Sequence, residues 1–396
     1  MRRRTVLKMT LQAGAASLAA VPLCAMHRRA FRLFAGSAER YSARCVELVG
    51  QSNVIDMLNP FNLQMVLARL AGDPTPTWLD NPALFTAADM QRARESGFNI
   101  LHIAVGTAEY DETLRFIAQW DGFIAHNSDG FLRVDSSARL AEAKRAGKIG
   151  IILGIQNSGH FRTVDDVDFF HGLGQRVSQL TYNSRNLIGS GSTERNDSGL
   201  SDYGVSVVGR MNKVGMAVDV SHCGDATTLD ACAVSKQPVL ITHANCRALN
   251  PHPRCKTDDA IRKIAATGGV MGITGVRMFV SKSEPTTIEN VLDHYDHVAH
   301  LVGVEHLGVG SDIGLDGYDA LPEPIRKKLH GSYKSSYAFR EKDDIEGLDH
   351  PKRTFDLTEG LIRRGYSDAN IQQVLGGNFQ RVLTQIWSVQ NTTKPS

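Results

Sequence analysis

The chain has 396 residues, 42% hydrophobic and 22% charged, and its 44 basic and 42 acidic side chains leave a formal charge of +2. That composition excludes disorder, collagen-like sequence and a disulfide-stapled miniature fold, and near-neutrality argues against nucleic acid as a partner. Length alone permits two or three domains, or a single α/β barrel.

In chain order, residues 1–25 read as a twin-arginine signal peptide. Arg3-Arg4-Thr5-Val6-Leu7-Lys8 carries the consensus, Met9 to Ala20 forms a modest apolar stretch, and Leu23-Cys24-Ala25 supplies small residues for cleavage. The expected location is the periplasm or another exported compartment, with the twin-arginine export machinery as one partner. Losing the leader removes Arg2, Arg3, Arg4 and Lys8 and no acidic residue, so a charge of +2 becomes −2. Five cysteines then remain, Cys45, Cys223, Cys232, Cys246 and Cys255, with no C-x-x-C spacing. An odd number leaves at least one thiol free, and a single disulfide of unreadable pairing stays open.

Residues 26–50 read as a helical lead-in, 51–385 as the folded domain and 386–396 as a tail. Within the domain a short apolar run recurs, each ending in a polar residue and followed by helical spacing and a Gly-containing turn. The expected strands are Asn53 to Leu58, Ile100 to Val105, Ile149 to Gln156, Arg176 to Thr181, Gly215 to Ser221, Pro238 to Thr242, Gly269 to Thr274 and Leu307 to Ser311. Between them, Ala87 to Ser96, Ser136 to Ala146, Gly204 to Val214, Ala226 to Val234, Asp258 to Thr267 and Ile288 to Val302 repeat apolar residues near i, i+3, i+4 and i+7. Strands apolar on both faces and alternating with helices imply a parallel sheet covered on both sides. Eight repeats predict an α/β fold with a single TIM-like (β/α)8 barrel, the alternative being an open doubly wound sheet.

In a barrel the residues ending the strands converge on one mouth. Here they are Gln156, the Thr181-Tyr182-Asn183 stretch, His222, His243 and Asp312. His222 and His243 end consecutive strands about 4.8 Å apart, a spacing at which two imidazoles can share one ion. His294, His297 and His300, at three-residue spacing on a helix, read as a solvated face. Gly189-Ser190-Gly191-Ser192 lacks the Gly-Lys-Ser/Thr ending of a phosphate loop and reads as a flexible active-site loop.

At these residues the sequence resembles the membrane (renal-type) dipeptidases, peptidase family M19. The resemblance runs from about Val54 to Val382 and rests on Leu180-Thr181-Tyr182-Asn183-Ser184-Arg185-Asn186, Asp219-Val220-Ser221-His222, the His243 strand and His252-Pro253-Arg254. It continues through Asp293-His294, Gly308-Val309-Gly310-Ser311-Asp312 and Leu375-Gly376-Gly377-Asn378-Phe379. The resemblance implies a TIM-like barrel in which two bridged Zn²⁺ ions hydrolyse dipeptides, including some with a D-residue at the second position. It also implies metal ligands from a His-x-Asp on the first strand, a bridging Glu on the third, and one His on each of the fifth and sixth.

His222 and His243 match the last two of these ligands, but Leu58 and Pro60 stand at the first-strand positions and Gln156 at the bridging carboxylate. Two negative charges and one imidazole are thus missing, and a neutral amide bridges cations poorly. The expectation falls to one Zn²⁺ ion on His222, His243 and Gln156, or none. Asp56 shares strand parity with Leu58 and reads as a partner for core polar groups. By the same resemblance Arg254 grips the substrate's terminal carboxylate, and Asp312 shuttles the proton to the leaving amine. Tyr182 stands at the oxyanion-stabilising position, with Asn183 beside it as a substrate-binding amide. The expected function is an exported, metal-dependent, dipeptidase-like hydrolase that acts on a dipeptide or related small amide through metal-activated water. The alternative is a catalytically impaired homologue serving as a periplasmic binding or maturation factor for a peptide-derived compound. A homodimer is left open.

Overall fold

A computed structural model describes residues 41–62 and 75–389. The expected signal peptide, the start of the lead-in and residues 390–396 of the expected tail lie outside the described residues. The helix Ala43–Gln51 ends the lead-in.

The strands are β1 Ile55–Asp56, β2 Ile100–Val105, β3 Phe131–Arg133, β4 Ile149–Ile155, β5 Gln175–Gln179, β6 Ala217–Asp219, β7 Val239–Ala244, β8 Met271–Ile273 and β9 Leu307–Val309. Every pairing is parallel, and the order β1-β2-β4-β5-β6-β7-β8-β9 returns to β1, which closes an eight-stranded barrel with helices around it. All eight expected strands are present. β3 is additional: it pairs with the first three residues of β4 along the edge that β5 takes over from Leu153 onward. Three residues are too few to show an alternating pattern, so sequence reading passed over it.

The strands are apolar on both faces because they separate two packed layers. Leu101, Ile103, Ile151 and Leu153 join a cluster with Ile117, Trp120 and Phe123 of the helix Tyr110–His126. Residues of the opposite parity, Ile100 and Ile152, join Val177, Ala217 and Leu240. Phe379, Val382 and Ile386 of the last helix, Asn378–Trp387, belong to this second cluster. Each Leu, Ile, Val or Phe among them contributes about 1.5–3 kcal/mol through burial.

The barrel closes where its ladder is thinnest, since β1 and β9 share one register pair, Asp56 with Val309. Asp56 strengthens that seam. Its Oδ1 accepts the Ser311 N–H at 2.8 Å and its Oδ2 the Ser311 hydroxyl at 2.5 Å and the Asn59 amide at 3.0 Å. Arg353, from the helix Arg353–Arg363, lies 3.8 Å from the same carboxylate. Asp56 thus satisfies core polar groups, as its position implied. Across the seam the Asp312 N–H donates to Leu58 O at 2.8 Å, which fixes Asp312 just beyond β9.

Candidate active site

Residues after β9 fold over the barrel mouth as a cap that includes the helix Glu323–Gly331. Two carboxylates hold it. Asp344 accepts the N–H groups of Tyr318 and Asp319 at 2.9 and 2.7 Å, and Asp319 accepts those of Asp343 and Asp344 at 3.1 and 3.2 Å. Beneath the cap lies a cavity of about 290 Å³. Leu58, Pro60, Ala104, Gln156 and Asp312 line its barrel side, and Tyr318, Tyr333, Tyr337, Phe339 and Asp343 its cap side.

Asp312, Tyr182 and Gln156 are thus brought together at the strand ends. Asp312 adopts φ +58°, a left-handed conformation that Asp tolerates better than most residues and that is characteristic of functional sites. Burial pushes its carboxyl up to about 7, while the nearby Arg254 charge pulls the other way. A carboxyl poised there exchanges protons readily at neutral pH.

Tyr182 lies with its ring nearly parallel to that of His222, 4.2 Å between centroids and 19° between planes. Its hydroxyl is 2.7 Å from that of Tyr333, also on the cavity wall. Burial holds both phenols above their usual range, so both stay protonated. Two hydroxyls spend one proton on each other, which leaves one for a ligand oxygen.

The other candidates stand back from the cavity. Asn183 borders an adjoining recess with Thr193 and Lys334, and its amide lies 2.8 Å from His222 Nδ1. Arg254 is 1% exposed, donates to Ser221 O and, at 3.2 Å, to His243 O, and lies over the Phe279 ring. The carboxylate grip expected of it is not built into the cavity wall, because its Nη atoms tie the ends of β6 and β7.

His222 and His243 do come together, with 2.8 Å between their Nε2 atoms. On one tetrahedral zinc ion, with Zn–N near 2.05 Å, the two nitrogens would stand about 3.3 Å apart. The neighbours set the tautomers. Asp219 Oδ2 takes the Thr242 hydroxyl proton at 2.7 Å, so the Thr242 oxygen accepts from His243 Nδ1–H at 2.8 Å. His243 Nε2 is then bare. His222 Nδ1 faces Asn183 Oδ1 at 2.8 Å, an acceptor that also takes the Ser192 hydroxyl, so His222 Nδ1–H donates to it and its Nε2 is bare as well. Desolvation first, and the Arg254 charge second, hold both imidazoles neutral well below their usual range.

These donors do not fit the expected zinc site. The two bare Nε2 atoms are only two donors and stand closer than a shared ion would hold them, and Leu58 and Pro60 bring none. The Gln156 amide reaches Ala104 O at 3.5 Å, and among the described residues no three His, Cys, Asp or Glu side chains converge on a point that could hold a metal.

Two further expectations are corrected. His294 is not solvated: it is fully buried, accepting the Cys246 N–H at 3.1 Å and donating to Val280 O at 2.9 Å, and burial lowers it to about 4. The Gly189–Ser192 segment is not a free loop, since Ser190 is buried and bonded to Thr227 and Gly224. A Cβ on Gly191 would sit 2.1 Å from the Asn183 carbonyl carbon, so Gly191→Ala is expected to cost about 1–3 kcal/mol, read as a lowered melting temperature. Finally, Cys45, Cys223, Cys232, Cys246 and Cys255 are all free thiols.

Sequence reading missed the cap. Tyr333, Tyr337, Phe339 and Asp343 follow the last strand without periodic spacing, and only the run of aromatics from Tyr318 to Phe339 hinted at an apolar wall.

Comparison with known proteins agrees with this architecture. The family model for membrane dipeptidase (peptidase family M19) matches residues 43–328 and 338–396. Dipeptidase verJ from Clonostachys rogersoniana is 31% identical over 293 residues, 72% of this chain and 69% of that protein. An amidohydrolase from Pseudomonas aeruginosa superposes with a TM-score of 0.73 at 30% identity, covering 87% of this chain and 99% of its own. A metallo peptidase from Rhodobacter sphaeroides, liganded with a phosphinate mimic of L-Ala-D-Ala, shares the fold with a TM-score of 0.67 at 19% identity, covering 85% of this chain and 99% of its own. The closed eight-stranded barrel and the family match over most of the chain place this protein in the membrane dipeptidase family, peptidase family M19.

Proposed function

We propose that this dipeptidase-like chain is a hydrolase of altered mechanism, which binds a dipeptide or related small amide in the capped cavity. Asp312, rather than a metal-bound hydroxide, moves the proton. The carrying observation is the Asp312 carboxyl, lining the cavity and raised to about 7 by burial, at a barrel mouth where two neutral imidazoles meet no third metal donor among the described residues.

The family is metal-dependent, generally on zinc, but no step here is routed through an ion the donors do not fit. Unprotonated Asp312 takes a proton from attacking water and returns it to the leaving amine. The free proton of the Tyr182–Tyr333 pair donates to the carbonyl oxygen as charge develops there. Pro60, Leu58 and the cap aromatics exclude bulk water and strengthen both interactions. Positioned acid–base groups supply about 10²–10⁴-fold. Such an enzyme is slow on an ordinary peptide bond and better matched to an activated amide.

A second reading, favoured by Leu58, Pro60 and Gln156 at the ligand positions, is a periplasmic binding or maturation factor for a peptide-derived compound. The working compartment for either reading is proposed from the twin-arginine leader. A panel of dipeptides and small amides, presented to chelator-treated protein, separates the two. Turnover that persists without metal supports the hydrolase. Thermal stabilisation by a panel member without any cleavage supports the binding factor and rejects the hydrolase.

A further inference from the structure

The cap closes the cavity with a charge that catalysis by Asp312 leaves unused. Asp343 lines the cavity although it is only 1% exposed. Its Oδ2 accepts from His330 Nε2 at 2.7 Å, while Oδ1 has no hydrogen-bond partner among the described residues. His330 is braced by stacking on Phe339, 4.2 Å between centroids and 17° between planes. The Asp343 backbone is fixed on both sides, donating to Asp319 at 3.1 Å and accepting the Arg277 N–H at 2.9 Å. A buried acceptor left unmet costs about 1–3 kcal/mol. A ligand donor would recover that energy.

The charges around the cavity have one sign. Asp312, Asp343 and Glu112 line it, and no Lys or Arg does. Among the nearby cations, Arg326 is engaged by Asp319 and Glu341 O, Arg277 by Glu284, and Arg254 by two backbone carbonyls. Burial raises the Asp343 carboxyl above its usual range, and the hydrogen bond from His330 draws it back down. The remaining wall is largely aromatic, with Tyr182, Tyr318, Tyr333, Tyr337, Phe279 and Phe339. Carboxylates among aromatic faces attract a cation and repel an anion.

We propose that the Asp343–His330 pair forms an amine-recognition subsite, in which Asp343 Oδ1 accepts a hydrogen bond from the ammonium group of a ligand whose apolar body packs on the cap aromatics. The subsite rests on the cavity being the binding site and narrows the ligand class to amine cations. Its test needs no turnover.

Calorimetry on the full-length, chelator-treated protein would compare 2-phenylethylammonium, neutral 2-phenylethanol and anionic 3-phenylpropanoate. The ammonium compound is expected to bind at least about tenfold more tightly than the other two. Asp343→Asn is expected to remove about that factor while changing 2-phenylethanol binding less than about twofold, which shows that the cavity is still formed. Equal or tighter binding of 3-phenylpropanoate, or unchanged amine affinity in the Asp343→Asn protein, would overturn the subsite. If no probe binds, the cavity reading falls with it. Amine selectivity without amide turnover would leave the subsite standing and reject only the hydrolase.

Discussion

Asp312→Asn is expected to lower turnover of a small amide by about 10²–10⁴-fold, with KM little changed. The substitution keeps the shape of the side chain and the backbone bond to Leu58, and removes only the ability to take up a proton. The parent pH profile should carry the same signature. A general base must be unprotonated, so kcat/KM rises about tenfold per pH unit on the acid side and levels off above about 7, near where burial places the Asp312 carboxyl. Steady-state kinetics between pH 5 and 9 read both effects.

Stability should move the other way. The Asp312 carboxyl titrates higher in the folded chain than in the unfolded one, so its ionisation opposes folding above about pH 7. That cost fades as pH falls through 7 toward the unfolded value of about 4. Asparagine carries no such charge. At pH 8 the Asp312→Asn protein should therefore melt no lower than its parent, which separates a lost catalytic group from a damaged fold.

The second large effect is a gain. Leu58→His, Pro60→Asp and Gln156→Glu together restore the donor types that the family resemblance implies, and the combined variant is expected to acquire stoichiometric zinc. The two Nε2 atoms need only part from 2.8 Å to the roughly 3.3 Å of a shared ion, whereas a complete zinc site contributes on the order of 10 kcal/mol. Uptake should appear as bound metal after gel filtration. It should also raise the melting temperature by the equivalent of about 2.7 kcal/mol at a hundred times Kd. Gln156→Glu alone should hold metal less tightly than the combined variant, because it adds one carboxylate to two imidazoles while Leu58 and Pro60 still bring no donor. Stoichiometric uptake by the unmodified chain would show instead that the two imidazoles and Gln156 suffice.

The barrel was legible because its pattern is global: eight apolar runs, each buried on both faces, can be satisfied only by a covered parallel sheet. The positions of Asp312, Tyr182 and Gln156 followed from the rule that strand ends share one mouth. What lay beyond reach was pairwise. That His222 and His243 turn unprotonated Nε2 atoms toward each other depends on Thr242, Asp219 and Asn183, three neighbours whose hydrogen-bonding directions no spacing reveals. Arg254 illustrates the same gap, since sequence supplies a guanidinium at the right interval but not the two carbonyls that claim it. His294 sits on an amphipathic helix with polar neighbours, and only packing shows that its imidazole bridges Cys246 and Val280 in the interior.

The central claim, that chemistry at this barrel mouth proceeds without a metal pair, is tested most directly by counting ions per chain and measuring amide turnover on the same preparation, before and after chelation. The account predicts well under one divalent ion per chain and turnover unchanged by chelation. Two ions per chain, with turnover abolished by their removal and restored by Zn²⁺, would contradict it.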